Sequence, residues 1–198
     1  MKSFNFFACV GRMKHIRRWS LMRSIIPENL LEHSAQVVQI AHALAVINNT
    51  VFNGSIDPGE VAIASVYHDV AEVLTGDLPT PIKYYNPAIA SAFSEIEVKS
   101  ANKLLNLLPD ELKPKYQAIF NIPKTSQVSK FVKAADRLSA HIKCIEELQN
   151  GNKEFSQAFK ATKASVLEID LPEVKYFINH FLNAFYLTLD ELQDDSRE

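Results

Sequence analysis

Between Asp57 and Leu74 the chain reads DPGEVAIASVYHDVAEVL, and this run limits the possible folds more than any other. Asp57 suits a helix N-cap, Pro58 the first helical position, and Glu60 the place from which a capping acid reaches back. The helix predicted from there to about Leu74 is apolar on most sides, through Val61, Ala62, Ile63, Val66, Tyr67, Val70, Val73 and Leu74. Such a helix belongs in the middle of a domain, with others packed around it. Yet it carries His68 and Asp69 side by side, and a carboxylate is rarely buried without a partner charge or a metal.

The rest of the sequence is helical in pattern as well. Helices are predicted over residues 28–49, 87–107, 109–120, 126–148, 153–168 and 172–192. Asp77-Leu78-Pro79-Thr80-Pro81 cannot continue a helix, because two prolines remove donors and bias their predecessors to extended backbone. No strand alternation and no internal repeat stands out. The expected architecture is all-α: one helical domain over residues 1–198, with a polar tail from about 193. A chain of 198 residues, 47% of them hydrophobic, has ample material for a core.

Net charge is −2, which gives no electrostatic case for polymeric nucleic acid or an anionic membrane as partner. Cys9 and Cys144 are too few and too far apart for a disulfide framework, as befits a reducing cytosol. The aromatic patch near the N-terminus is broken by Gly11 and Arg12, too short for a secretory signal. No uninterrupted apolar run reaches the roughly 18 residues of a spanning helix. These features lead us to expect a soluble, cytoplasmic protein.

Three places set metal-ligating side chains inside apolar helices: His33, the pair His68-Asp69, and Asp136. Taken singly each is ordinary, since a helical His is more often a core or surface residue and an Asp beside Arg137 a salt-bridge partner. Together, two imidazoles and two carboxylates could hold one cation that neutralises both acids. His42 lies nine residues past His33 and turns to the opposite helix face. His141 points away from Asp136, and His15 and His180 lack acidic neighbours. These four are assigned structural or solvent roles.

The pattern H…HD…D resembles that of HD-domain metal-dependent phosphohydrolases. RRW at 17–19, ENLLEHS at 28–34, YHDVAEVLTGDLPTP at 67–81 and KAAD at 133–136 make the chain similar to the bacterial 5′-deoxynucleotidase branch. That resemblance implies an HD-type helical domain with the metal between central helices. It implies hydrolysis of deoxyribonucleoside 5′-monophosphates to deoxynucleoside and phosphate, selective against ribonucleotides and with little base preference. The ligands it implies are His33, His68, Asp69 and Asp136 around one divalent cation, Co²⁺ or Mn²⁺, with Cu²⁺, Zn²⁺ or Mg²⁺ as other candidates.

Glu72 would be either an acceptor steadying a ligand imidazole or, on the family's pattern, the acid/base. Asp77, in the proline-stiffened loop, is the second candidate for proton transfer; a turn-forming Asp is its plainer role. A guanidinium fork fits phosphate, and composition cannot separate Arg17 from Arg18; the family match favours Arg18. Trp19, the single tryptophan, is either core packing or, on the resemblance, a flat wall beside the sugar C2′. The resemblance adds His33, Asp69, Asp77, Leu78, Pro79 and Thr80 to the substrate contacts, and Lys83 could bind phosphate or nucleoside from the same loop. It also implies a homodimer, to which the apolar C-terminal segment from Tyr176 to Leu189 could contribute, unless it docks on its own domain. A ribonucleotide, triphosphate or cyclic phosphodiester substrate, or a structural metal clip without catalysis, are the competing readings. An intact Glu72 and Asp77 argue against a mere clip.

Overall fold

The computed structural model describes residues 3–83 and 85–194; four residues of the expected tail, 195–198, lie outside them. Among the described residues there is no strand, only an isolated antiparallel bridge between Arg17 and Asn29. The elements are α1 Phe6–Val10, α2 Leu30–Val51, α3 Pro58–Val66, α4 Glu72–Thr75, α5 Thr80–Lys83 and α6 Pro87–Leu105. They continue with α7 Lys113–Phe120, α8 Gln127–Gln149, α9 Ser156–Leu167, α10 Pro172–His180 and α11 Leu189–Leu192. Short 3₁₀ turns follow α1, precede α9 and follow α10.

The helix predicted over 57–74 is not continuous, and it is not the centre. α3 ends at Val66, and residues 67–71 form turns in which several amides bond three residues back, such as Val70 N–H to the Tyr67 carbonyl at 3.2 Å. Ser65 explains the break. Its hydroxyl donates back to the Val61 carbonyl at 2.8 Å, a bond that bends helices. Its own carbonyl accepts from the His68 ring at 2.8 Å, in place of the amide a regular helix would send it. Ile63 and Val66 are 49% and 40% exposed, so α3 lies to one side. The axis of the main core is instead α2 against α8, through Val37, Ala41, Leu44, Phe131, Ala135, Leu138 and Ile142. A second core gathers Phe6, Leu104, Leu105 and Leu108 around Val70.

Other boundaries shift for local reasons. α2 begins after Asn29, whose side chain caps it in a reciprocal box with Glu32. It runs past Asn48 and Asn49 because their amides are engaged elsewhere, on Glu173 and on the Ile56 carbonyl. α5 starts within the proline-rich loop, with Pro81 near its N-terminus, where a missing donor costs nothing. The segment 172–192 is three short pieces, not one helix. By length and mean hydropathy, 1.2 over its best window, α2 could cross a bilayer, so the lack of an uninterrupted apolar run does not exclude such a helix. Half of that window is buried inside the protein, which accounts for its apolarity.

One buried ion pair ties the N-terminal part of the chain to α8. Lys143 and Glu147, 3% and 0% exposed, meet at 2.6 Å. Glu147 also accepts from the amides of Ile25 and Ile26 and from Asn152. Burial would push this carboxyl up, but these hydrogen bonds outweigh it and hold it down at about 2. A depressed acid stabilises the fold above its unfolded value of 4.5 and loses that contribution as pH falls toward 2. Denaturation of the wild type and Glu147→Gln should therefore show a stability gap that is full at pH 6 and shrinks toward pH 3. A gap that does not vary with pH contradicts the assignment.

Candidate metal centre and cleft

His33 occupies the first turn of α2 and is 1% exposed. Its Nδ1 lies 3.1 Å from the Ser139 hydroxyl, which donates to Gln36 Oε1 at 2.6 Å. With the hydroxyl proton committed to Gln36, Nδ1 must be the donor and Nε2 the bare nitrogen. His68 reaches the same state by another route, because its Nδ1 donates to the Ser65 carbonyl. Both Nε2 atoms are buried without a hydrogen-bond partner.

The bare nitrogens face carboxylates. His33 Nε2 is 3.1 Å from Asp136 Oδ1 and 3.8 Å from Asp69 Oδ2, and His68 Nε2 is 3.1 Å from Asp69 Oδ2. Ligand atoms of His33, His68 and Asp136 lie within 4.8 Å of one another. Lone pairs converging on carboxylates at such distances call for a cation between them, and mixed N/O donors suit borderline divalent ions. The residues fit a metal. The local field favours a positive charge at this point: Asp69, held well below the usual carboxylate range chiefly by His68, outweighs the effect of burial and raises His68 to about 9, so its Nε2 takes up either a proton or a cation. His33 also keeps Asp136 below its ordinary value against the effect of burial. Asp136 is not buried as expected; its side chain is 39% exposed.

Around this cluster stand further groups. Glu72 opens α4 and is 6% exposed, with Oε2 unpartnered. Burial first, and then the charges of Asp69 and Asp77, push its carboxyl up to about 9. Its approach to the cluster does not come from helical spacing, since α3 has ended before His68. Gly76, at φ 75°, turns the chain back after α4, a conformation a side chain would oppose. Asp77 follows, half-buried and raised by burial against the pull of Arg18. Thr80 is exposed at the start of α5, and Leu78 and Pro79 are half-buried. No hydrogen bond or ion pair joins these three side chains to the cluster. Lys83 pairs with Glu97 at 2.7 Å.

Arg18 is 12% exposed, with Nη1 3.8 Å from Asp69 and Nε 3.2 Å from Glu28. Arg17 is exposed and lines an outer pocket of about 340 Å³ with Lys14, His15, Glu28 and Glu32. Of the two, only Arg18 approaches the acids. Trp19 donates to Glu28 at 3.0 Å and packs on Phe155. His42, His15 and His180 are exposed, and His141 bonds Thr162, all away from the cluster. Sequence reasoning passed over Ser139, Gln36 and Glu28. Ser139 lies three residues beyond Asp136, and Gln36 three beyond His33, which is the helical spacing that could have found them.

Helices converging on a histidine–aspartate cluster are the arrangement of HD-domain phosphohydrolases, and solved members share this fold. One from Listeria innocua superposes with a TM-score of 0.81 at 21% identity, covering 91% of this chain and 88% of its own. A cyanophage S-2L HD phosphohydrolase, bound to dA and one catalytic Zn²⁺, gives a TM-score of 0.61 at 17% identity, covering 89% of this chain and 95% of its own. The profile of YfbR-like 5′-deoxynucleotidases matches residues 5–185, and the chain belongs to that family. A 5′-deoxynucleotidase of Vibrio parahaemolyticus is 48% identical over 194 residues, spanning 97% of this chain and 100% of its own. One of Photobacterium profundum is 48% identical over 195 residues with the same coverage.

Proposed function

We propose that this chain hydrolyses deoxyribonucleoside 5′-monophosphates to deoxynucleoside and phosphate, using one divalent cation held by His33, His68, Asp69 and Asp136. The observation that carries the reading is the convergence of two bare, buried imidazole nitrogens on two carboxylates beside Arg18. Family membership supports the same chemistry. When bound, the cation would supply Lewis-acid stabilisation of the phosphoryl charge and ease deprotonation of the attacking water. Mn²⁺ or Co²⁺ is our assignment, from the mixed donor set.

Arg18 offers its terminal nitrogens to the phosphate oxygens and offsets their charge. Glu72, whose neutral form is favoured first by burial, is the group that delivers a proton to the departing 5′-oxygen as the P–O5′ bond breaks. Asp77 steadies the attacking water and takes its proton as the oxygen bonds to phosphorus, and that proton returns through solvent to Glu72 before the next turnover. His33 and Asp69 border the phosphate as well as the cation, and Leu78, Pro79 and Thr80 form the nucleoside side of the cleft. Trp19 stands as an apolar wall at C2′, so a ribose hydroxyl would be desolvated there without a partner. No base-reading residue is evident, which fits tolerance of several bases.

The functional unit is one domain over residues 1–198, acting in the cytoplasm as a homodimer, without membrane or polymeric nucleic acid as partner. Exposed Phe181, Tyr186, Leu189 and Leu192 support an association surface near the C-terminus. A turnover panel of dNMPs and NMPs with several divalent ions tests the reading directly. Phosphate should be released from dAMP and dUMP well ahead of AMP and UMP. Trp19→Ala should narrow that preference by about tenfold, the scale on which an apolar wall rejects a hydroxyl. No release from any monophosphate with any ion overturns the proposal.

A further inference from the structure

Residues 17–29 form a loop that carries Trp19 and sets Arg18 Nη1 3.8 Å from Asp69, and it is fastened at three levels. Its neck is closed by the Arg17–Asn29 bridge, with Arg18 N–H on the Glu28 carbonyl at 3.0 Å and Leu30 N–H on the Ile16 carbonyl at 2.9 Å. Its far side is anchored on α8 and the turn beyond: Glu147 receives the Ile25 and Ile26 amides, Lys143 donates to the Ile26 carbonyl, and Asn152 to that of Arg23. Within it, Trp19 adopts φ 56°, a left-handed conformation that an aromatic residue keeps only under constraint.

The third fastening is a single atom. Glu28 Oε2 accepts from the Trp19 indole N–H at 3.0 Å and from Arg18 Nε at 3.2 Å. Phe155 backs the indole with ring centroids 5.3 Å apart. Arg18 uses its Nε for this bond and keeps Nη1 directed toward Asp69. One shared acceptor thus sets the indole plane at a fixed offset from the guanidinium. We propose that Glu28 is the positioning residue for sugar discrimination, coupling Trp19 and Arg18 into one rigid recognition element. This rests on the reading of Trp19 as the C2′ wall and Arg18 as the phosphate clamp. An apolar wall rejects an added hydroxyl only modestly, so a wall free to tilt rejects it less. Because one oxygen serves both donors, geometry at that oxygen matters more than the charge of the group.

Trp19 is the only tryptophan in the chain, so its fluorescence reports on this element alone. Wild type, Glu28→Ala, Glu28→Asp, Glu28→Gln and Trp19→Ala would be compared in kcat/KM for dAMP and AMP, alongside acrylamide quenching of the indole and thermal melts. Glu28→Ala should lower the dAMP:AMP ratio about tenfold, with KM for dAMP rising more than kcat falls, and should raise quenching. Glu28→Asp keeps the charge but withdraws the oxygen by one methylene; it should behave like Glu28→Ala, and it serves if that variant fails to fold. Glu28→Gln retains an acceptor oxygen and should stay within about threefold of wild type. Unchanged ratio and quenching in folded Glu28→Ala or Glu28→Asp overturns the proposal. A ratio that falls in Trp19→Ala but not in these variants defeats the assignment to Glu28 alone. A ratio that Trp19→Ala itself leaves unmoved defeats both this proposal and the reading of Trp19 beneath it.

Discussion

Replacing Glu72 by Gln is expected to lower kcat for dAMP by about 10²–10⁴-fold, the usual worth of a positioned acid, while leaving bound metal and thermal stability close to wild type. The amide keeps the shape of the side chain but cannot deliver a proton. Glu72 is suited to delivery because burial and the charges of Asp69 and Asp77 favour its neutral form. In a metal-content assay Glu72→Gln should still hold one ion per chain, because none of the four ligands is altered. The outcome that would falsify the assignment is a Glu72→Gln enzyme with undiminished kcat. Loss of both metal and activity would instead mark Glu72 as a support for the ligands.

Removing a ligand should act more broadly. Asp136→Asn leaves His33 Nε2 facing an amide where it now faces a carboxylate at 3.1 Å. We expect kcat to fall below detection and metal to be lost together. The stability readout is independent of turnover. For wild type, a divalent ion at about one hundred times its Kd contributes about 2.7 kcal/mol, a rise in Tm of about 5–10 °C for a chain of this size. In Asp136→Asn that rise should nearly vanish. A variant that still gains Tm from Mn²⁺ or Co²⁺ as the wild type does would show that Asp136 is not a ligand.

The fold class was legible because helical periodicity and caps are local properties. Asp57, Pro58 and Asn86 open their helices as local rules dictate. The break after Val66 was not legible from periodicity, since it depends on where Val70 must go: into a second core built with residues 104–108. Ser65 was the available hint. His33, His68, Asp69 and Asp136 stood out because titratable groups are rare in apolar helices, and the structure brings all four together. Glu28 did not stand out, because an acid ahead of a helix is commonplace until the fold sets Trp19 and Arg18 against it. The Lys143–Glu147 pair was hidden for a similar reason: in sequence it is an ordinary solvent-facing i,i+4 pair, and its burial follows from a loop more than a hundred residues upstream.

The separation of His33 from Ser139 and Asp136 has a consequence for biosynthesis. A nascent chain halted between residues 69 and 135 already contains both imidazoles and Asp69, but neither the Asp136 carboxylate nor the Ser139 hydroxyl that turns the His33 ring. Such a fragment has no assembled centre, so nucleotides meet an active hydrolase only after the ribosome has delivered α8.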